Sequence, residues 1–203
     1  MEKYDLKKQW KHLYGIKPGP ILAVDVPPLT YLMLDGEGDP NISPAFSQAI
    51  EALYSLSYTL KFTLKKSQRA IDYGVMPLEG LWWADDPRAF YEANKSAWKW
   101  TAMILQPEFI AQADVDAAFE EVRKKKNPVA LNQGRIGTLA EGASAQALHI
   151  GPFSAEGPTI QRMHDFIHAA GKQLRGKHHE IYLSDPRRTA PEKLKTILRQ
   201  PMQ

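Results

Sequence analysis

The segment HHEIYLSDP, His178 to Pro186, sets a glutamate directly ahead of three good strand formers, Ile181, Tyr182 and Leu183. A carboxylate in a covered strand is expensive unless it is paired or used. Strand alternation puts His178, Glu180 and Tyr182 on one face and His179, Ile181 and Leu183 on the other. Two readings of Glu180 follow. It is an edge carboxylate answered by Arg187, Arg188 or solvent, or it is an acid facing a ligand, fit to orient or deprotonate a water.

The aromatic residues are the second chemical signal. Four of the five tryptophans, Trp82, Trp83, Trp98 and Trp100, fall in two short segments. Large rings usually fill cores. Adjacent Trp82 and Trp83 on one strand must nevertheless point to opposite faces, so one leaves the core side, and Trp98 and Trp100 share a face. A wall of indoles stacks a planar ligand and attracts a cation through its ring faces. Trp83, Trp98 and Trp100 are therefore candidate walls, with Tyr73, Tyr182, Phe153 and Met163 in support. Glu79, in PLEGLWW, shares a face with Leu81 and Trp83 by alternation and reads either as a rim charge or as a ligand contact.

Other chemistries find little support. With no cysteine in its 203 residues, the chain has no disulfides, thiolate zinc ligands or cysteine nucleophile, which suits a reducing cytoplasm. His164 and His168 have a helical spacing that zinc can use, but no H-E-x-x-H motif accompanies them and no third ligand is evident. No serine lies in a G-x-S-x-G context, and the GEG and GPF turns lack the surroundings of a phosphate loop. The expectation is no metal and no cofactor. A net charge of +3 without a concentrated basic stripe argues against nucleic acid. MEKYDLKKQW is not a secretory leader, and no apolar run is long enough to span a membrane.

The elements that must position these residues follow from periodicity. Ile21–Val26 and Leu29–Gly36 read as strands parted by Pro27-Pro28. Ser43 caps a helix from Pro44 to about Leu60, with Phe46, Ala49, Leu53, Leu56 and Leu60 on one face. Tyr73–Trp83 is extended, DDPRAFYEANK a loop or short helix, and Ala97–Pro107 a strand. A helix capped by Asp114 ends in RKKK. GRIGTLAEG and AQALHIGPF read as a pair of strands. A helix runs from about Thr159 to Leu174, KHHEIYLSD is a strand, and Pro191–Gln200 is a last short helix. Strands with single helices, lacking regular βα alternation, make the fold class α+β.

The order strand, glycine turn, helix, strand with glutamate occurs twice, matching Gly36 to Gly151 and Glu79 to Glu180. With MLDGEGDPN, YGVMPLEGLWW, WKWTAMILQPEFI, LHIGPF and HHEIYLSDPRRT, the chain resembles the GyrI-like small-molecule-binding domain family, in its stand-alone branch. The resemblance implies one GyrI-like domain of duplicated β-α-β-β (SHS2-like) modules, related by a pseudo-two-fold around a central ligand cleft. Its parts would be an extension at 1–20, a first repeat at about 21–110, a connecting helix at about 111–130 and a second repeat at about 131–203. It also implies an acidic residue at the base of the pocket, here Glu180.

The family takes flat, hydrophobic and often cationic aromatic compounds. The subset this chain resembles most is described as hydrolases that open the cyclopropane ring of DNA-alkylating natural products. The implied activity is water addition and ring opening, with Glu180 as base and Tyr73 or Tyr182 positioning the water or donating to the developing phenolate. Its rival is a sequestering protein with Glu180 as counter-charge. A gyrase-inhibitor-like interaction module is the third class.

Overall fold

The structure is a computed structural model and describes residues 2–86 and 94–203. The chain forms two compact units, each built from three stretches of sequence.

The first unit comprises Met1–Gln9, Leu29–Met76 and Trp83–Leu139. Strand β1 (Glu2–Tyr4) pairs in parallel with β4 (Ile71–Tyr73), and helix α1 (Leu6–Gln9) follows β1. The long β3 (Leu29–Glu37) runs antiparallel between β6 (Lys99–Leu105) and β7 (Arg135–Leu139). Helix α3 (Pro44–Lys66) covers this sheet with Ala49, Ala52, Leu53, Leu56, Leu60 and Leu64, all buried. Ser43 caps it, accepting from the Ala45 N–H at 3.4 Å, and Pro44 starts it. The helix outruns its expected end at Leu60 because Leu64 extends the apolar stripe by one turn. Lys65 and Lys66 then sit where cations suit the helix dipole.

Helix α4 (Gln112–Lys125) packs against α3. Asp114, expected as its cap, lies inside the first turn instead. Its carboxylate reaches back to the Ala111 N–H at 2.9 Å and also binds Arg69 at 2.8 Å, so it satisfies the helix start from within. The expected loop or short helix DDPRAFYEANK falls largely outside the described residues.

The second unit comprises Trp10–Pro28, Pro77–Trp82 and Ala140–Gln203. Its antiparallel sheet has the order β2 (Leu22–Val26), β8 (Gly142–Ile150), β10 (Lys195–Pro201), β9 (His178–Tyr182), β5 (Leu78–Trp83). GRIGTLAEG and AQALHIGPF are both strands, but they are not partners: β7 joins β3, and β8 joins β2 and β10. The short helix α2 (Lys11–Tyr14) lies by β2 with Leu13 and Tyr14 buried. Helix α5 (Gly157–Ala169) packs on β8 and β10, its Met163 and Ile167 closing a small core with Ala145, Leu198 and Met202. It stops short of Leu174, which instead bridges to Met202.

The expected last helix is a correction. Pro191–Lys193 form one 3-10 turn, and Lys195–Pro201 become β10, flanked by β8 and β9. From Thr196 to Pro201 every residue is buried, so the segment is decided by partners on both sides and not by its mixed polarity. The fold is α+β, and among the described residues no helix is long and apolar enough to cross a membrane.

Candidate active site

The site grows from β9. Its register sets Glu180 opposite Gly80 on β5 and Leu198 on β10, and Tyr182 opposite Thr196. Directly opposed residues share a face, so Gly80, Trp82, His178, Glu180, Tyr182 and Thr196 line the same side of the sheet. This is the side on which α5 packs, but α5 lies over β8 and β10.

On that face three side chains make a relay. The Trp82 indole N–H donates to the Tyr182 hydroxyl at 3.0 Å, and that hydroxyl donates to Glu180 Oε2 at 2.7 Å. Gly80 makes room for it. A Cβ there would stand 2.8 Å from Trp82 Nε1 and 3.0 Å from the Tyr182 oxygen. Phe153, 42% exposed, meets the Tyr182 ring edge-on at 5.6 Å. His178 Nε2 stands 3.6 Å from Glu180 Oε1. The Glu180 side chain keeps 16% of its surface open, so it is neither sealed nor freely solvated. Burial, the Glu180 charge and the hydrogen bond to it hold the Tyr182 proton on its oxygen well above the usual phenol range.

Glu156 joins this group from the residue before α5. It is 4% exposed, and its Oε1 has no hydrogen-bond partner. Burial first, and then the nearby Glu180 charge, raise its carboxyl from 4.5 to about 9, while Thr196 pulls the other way. A helix N-terminus favours a carboxylate by only about 0.3–1 kcal/mol, too little to offset that burial. At neutral pH the site therefore holds two carboxyl groups, and Glu156 keeps its proton.

The opposite face of β9 is occupied by a closed ionic cluster. His179 Nδ1 lies 3.0 Å from Glu141 Oε1, and Nε2 lies 2.9 Å from Glu79 Oε2. Tyr14 donates to Glu79 Oε1 at 2.7 Å, and Arg199 donates to Glu141 at 3.0 Å and to Gln146 at 3.2 Å. A carboxylate at each ring nitrogen demands both N–H groups, hence an imidazolium. Burial opposes that charge, but Glu141 and Glu79 outweigh it and raise His179 to about 9. Burial likewise acts against the Glu141 carboxylate, yet His179 and Arg199 bring it down to about 2.

The expected site residues are thus sorted by face and burial. Glu180, Tyr182 and Phe153 come together. Glu79, fully buried and bound by Tyr14 and His179, lies on the other side of the sheet, with neither rim nor ligand exposure. Met163, on α5, is a core residue packed with Ala145, Leu198 and Met202. In the first unit, Trp100 is 1% exposed, its indole laid over Gly36 and against Phe46, so it is core and not wall. Tyr73 is 3% exposed and packs edge-on to Phe109, with its phenol proton held firmly by burial. Trp83 and Trp98 are half-buried, and the Lys95 ammonium sits 5.4 Å above the Trp98 ring. Among the described residues no group of three or more His, Cys, Asp or Glu is placed to hold a metal ion.

Sequence reasoning missed Glu156, whose only signal was an acid between the GPF turn and a Gly-Pro helix start. It also left Trp82 as the unassigned member of its pair.

No curated protein matches the chain. An uncharacterized conserved protein from Listeria innocua is 38% identical, with a TM-score of 0.90, and 98% of this chain and 99% of that chain are covered. A protein from the same organism described as a hydrolase is 36% identical, with a TM-score of 0.86 over 98% and 99% of the two chains. The EcmrR C-terminal domain, 9% identical with a TM-score of 0.55 over 91% of this chain and 97% of that one, shares the fold alone. Residues 20–202 match the family model of the GyrI-like small molecule binding domain, and the chain belongs to that family.

Proposed function

We propose that the protein is a small-molecule hydrolase that binds planar, hydrophobic aromatic compounds and opens a strained cyclopropane ring by adding water. The observation that carries this reading is Glu180, held by the Trp82–Tyr182 relay on one sheet face beside Phe153, with the buried Glu156 next to it at the start of α5. An acid that burial keeps protonated beside a second carboxyl group divides the pair naturally into acid and base. The hydrolase from Listeria innocua, similar over nearly the whole chain, supports hydrolysis. The substrate class rests on the sequence resemblance described above.

In this mechanism Glu180 takes a proton from water as the water oxygen bonds to the cyclopropane carbon. The strained C–C bond breaks, and its electron pair flows into the conjugated ring system to the carbonyl oxygen, which becomes a phenolate. Glu156 protonates that oxygen. The two transfers assist each other: once Glu180 is neutral, the charge that helped hold the Glu156 proton is gone. Tyr182 fixes Glu180 by its hydrogen bond, and Trp82 fixes Tyr182.

Incubation with a cyclopropane-bearing alkylator should yield a product heavier by one water, read by mass spectrometry. Glu180→Gln should lower turnover by about 10²–10⁴-fold, with ligand quenching of tryptophan fluorescence retained. Unchanged turnover in that variant, with binding intact, would remove Glu180 from the chemistry. Stoichiometric protection of DNA without hydrated product would favour a sequestering protein, with Glu180 as counter-charge to a cation.

A further inference from the structure

Helix α3 carries on its solvent side a feature that the site does not use. Tyr54, Tyr58 and Phe62 stack in sequence with centroids 6.2 Å apart at each step, and Tyr58 and Phe62 are each 47% exposed. Glu51 and Lys65 end the stripe one step beyond on either side. Residues 51, 54, 58, 62 and 65 follow steps of three, four, four and three, so they form one straight seam, opposite the buried Ala52, Leu56 and Leu60. A row of exposed rings on a helix in water usually marks a surface that is covered in use.

We propose that this seam docks a second copy of the chain, α3 against α3 in antiparallel sense, with the two-fold axis at Tyr58. The spacing is symmetric about Tyr58 while the charge is antisymmetric, and this selects both the partner and the direction. In the antiparallel pair Glu51 meets the partner's Lys65, Tyr54 meets the partner's Phe62, and Tyr58 meets its own copy. A parallel pair would set like charge on like charge at both ends. Self-complementarity of this kind is what an isologous interface requires. Lys65 has charge to offer, because it shares the single carboxylate of Asp72 with Lys61, at 2.8 Å and 3.1 Å respectively.

The seam is short, about 21 Å at 1.5 Å per residue. One helix on one helix of that length buries less than the roughly 1,200 Å² of a stable complex, so the dimer is a weak one. The stacked rings are already ordered before contact, which keeps the entropic cost of docking low. The inference stands apart from the proposed chemistry.

The test is sedimentation equilibrium of the full chain from about 10 μM to about 1 mM, the range in which weak association shows. Wild type should dimerise reversibly. Glu51→Lys sets two cations at each of the two contact pairs, and Lys65→Glu sets two anions at each, so each variant alone should be monomeric. Mixed one to one they should form a heterodimer, because each then meets opposite charge at both ends. Tyr58→Lys should be monomeric in every mixture. Circular dichroism of each variant confirms the helix. Monomeric wild type throughout the range, variants that dimerise like wild type, or variants that stay monomeric when mixed would each overturn the proposal.

Discussion

Replacing Glu156 by glutamine removes a proton-binding site while keeping the side chain's shape, which separates its two effects. A carboxyl raised from 4.5 to about 9 favours the folded state below pH 4.5, and that contribution is lost as pH rises through 9. Glu156→Gln should therefore flatten the alkaline fall in stability, with the melting temperature at pH 8.5 rising relative to wild type. Because glutamine cannot supply the proton that the mechanism needs, turnover should fall by about 10²-fold or more. A variant that keeps full turnover would leave Glu156 as a buried acid without a catalytic role. Tyr182→Phe strips the acceptor from Trp82 and the donor from Glu180. It should destabilise the protein by about 1–3 kcal/mol, read from chemical denaturation, since a buried indole N–H is left unmet.

At the scale of elements, β9 works because its two faces do different things. One presents Glu180. The other is fastened by His179, through which Glu141 just before β8, Glu79 on β5 and Tyr14 on α2 are drawn together, with Arg199 on β10 completing the cluster. His179→Gln leaves two buried carboxylates with one fewer cation, and urea unfolding should show a loss of about 3–5 kcal/mol. Gly80→Ala tests the other face. Its Cβ must displace the Trp82–Tyr182 contact, so ligand affinity should drop and stability should fall by about 1–3 kcal/mol. Strand β9 was legible in the sequence because alternation is local and every second residue declares its face. Helix α3 was legible for the same reason, at a period of 3.6. β10 was not: Lys195–Pro201 is a strand because of two neighbours that no local window contains.

For the whole molecule, the buried charges set a pH profile of stability. Glu141, lowered to about 2, contributes fully above 4.5, and that contribution is lost as pH falls through 2. His179, raised to about 9 from 6.5, contributes fully below 6.5, and its share is lost as pH rises through 9. Glu156, raised from 4.5 to about 9, contributes fully only below 4.5, and its share is lost as pH rises from there through 9. Thermal melts should thus peak near pH 4.5 and decline toward pH 9, more steeply above 6.5. A maximum above pH 8 would contradict the charged state assigned to the His179 cluster. The two units also divide the chain out of sequence order. β2 joins the second unit through β8, and β7 joins the first through β3.

Taken alone, the sequence determined the α+β class, the long amphipathic helix, the absence of thiol chemistry and the face on which Glu180 stands with Tyr182. Each of these follows from composition or from spacing within a few residues. Tertiary structure alone decided that Glu79 turns to the buried side, that Trp100 is core, and that Trp82 reaches Tyr182 from 100 residues away. It alone brought Glu156 beside Glu180. A side chain's protonation and exposure are fixed by what packs against it, and those neighbours are chosen by strand register across the sheet, which no stretch of chain specifies by itself.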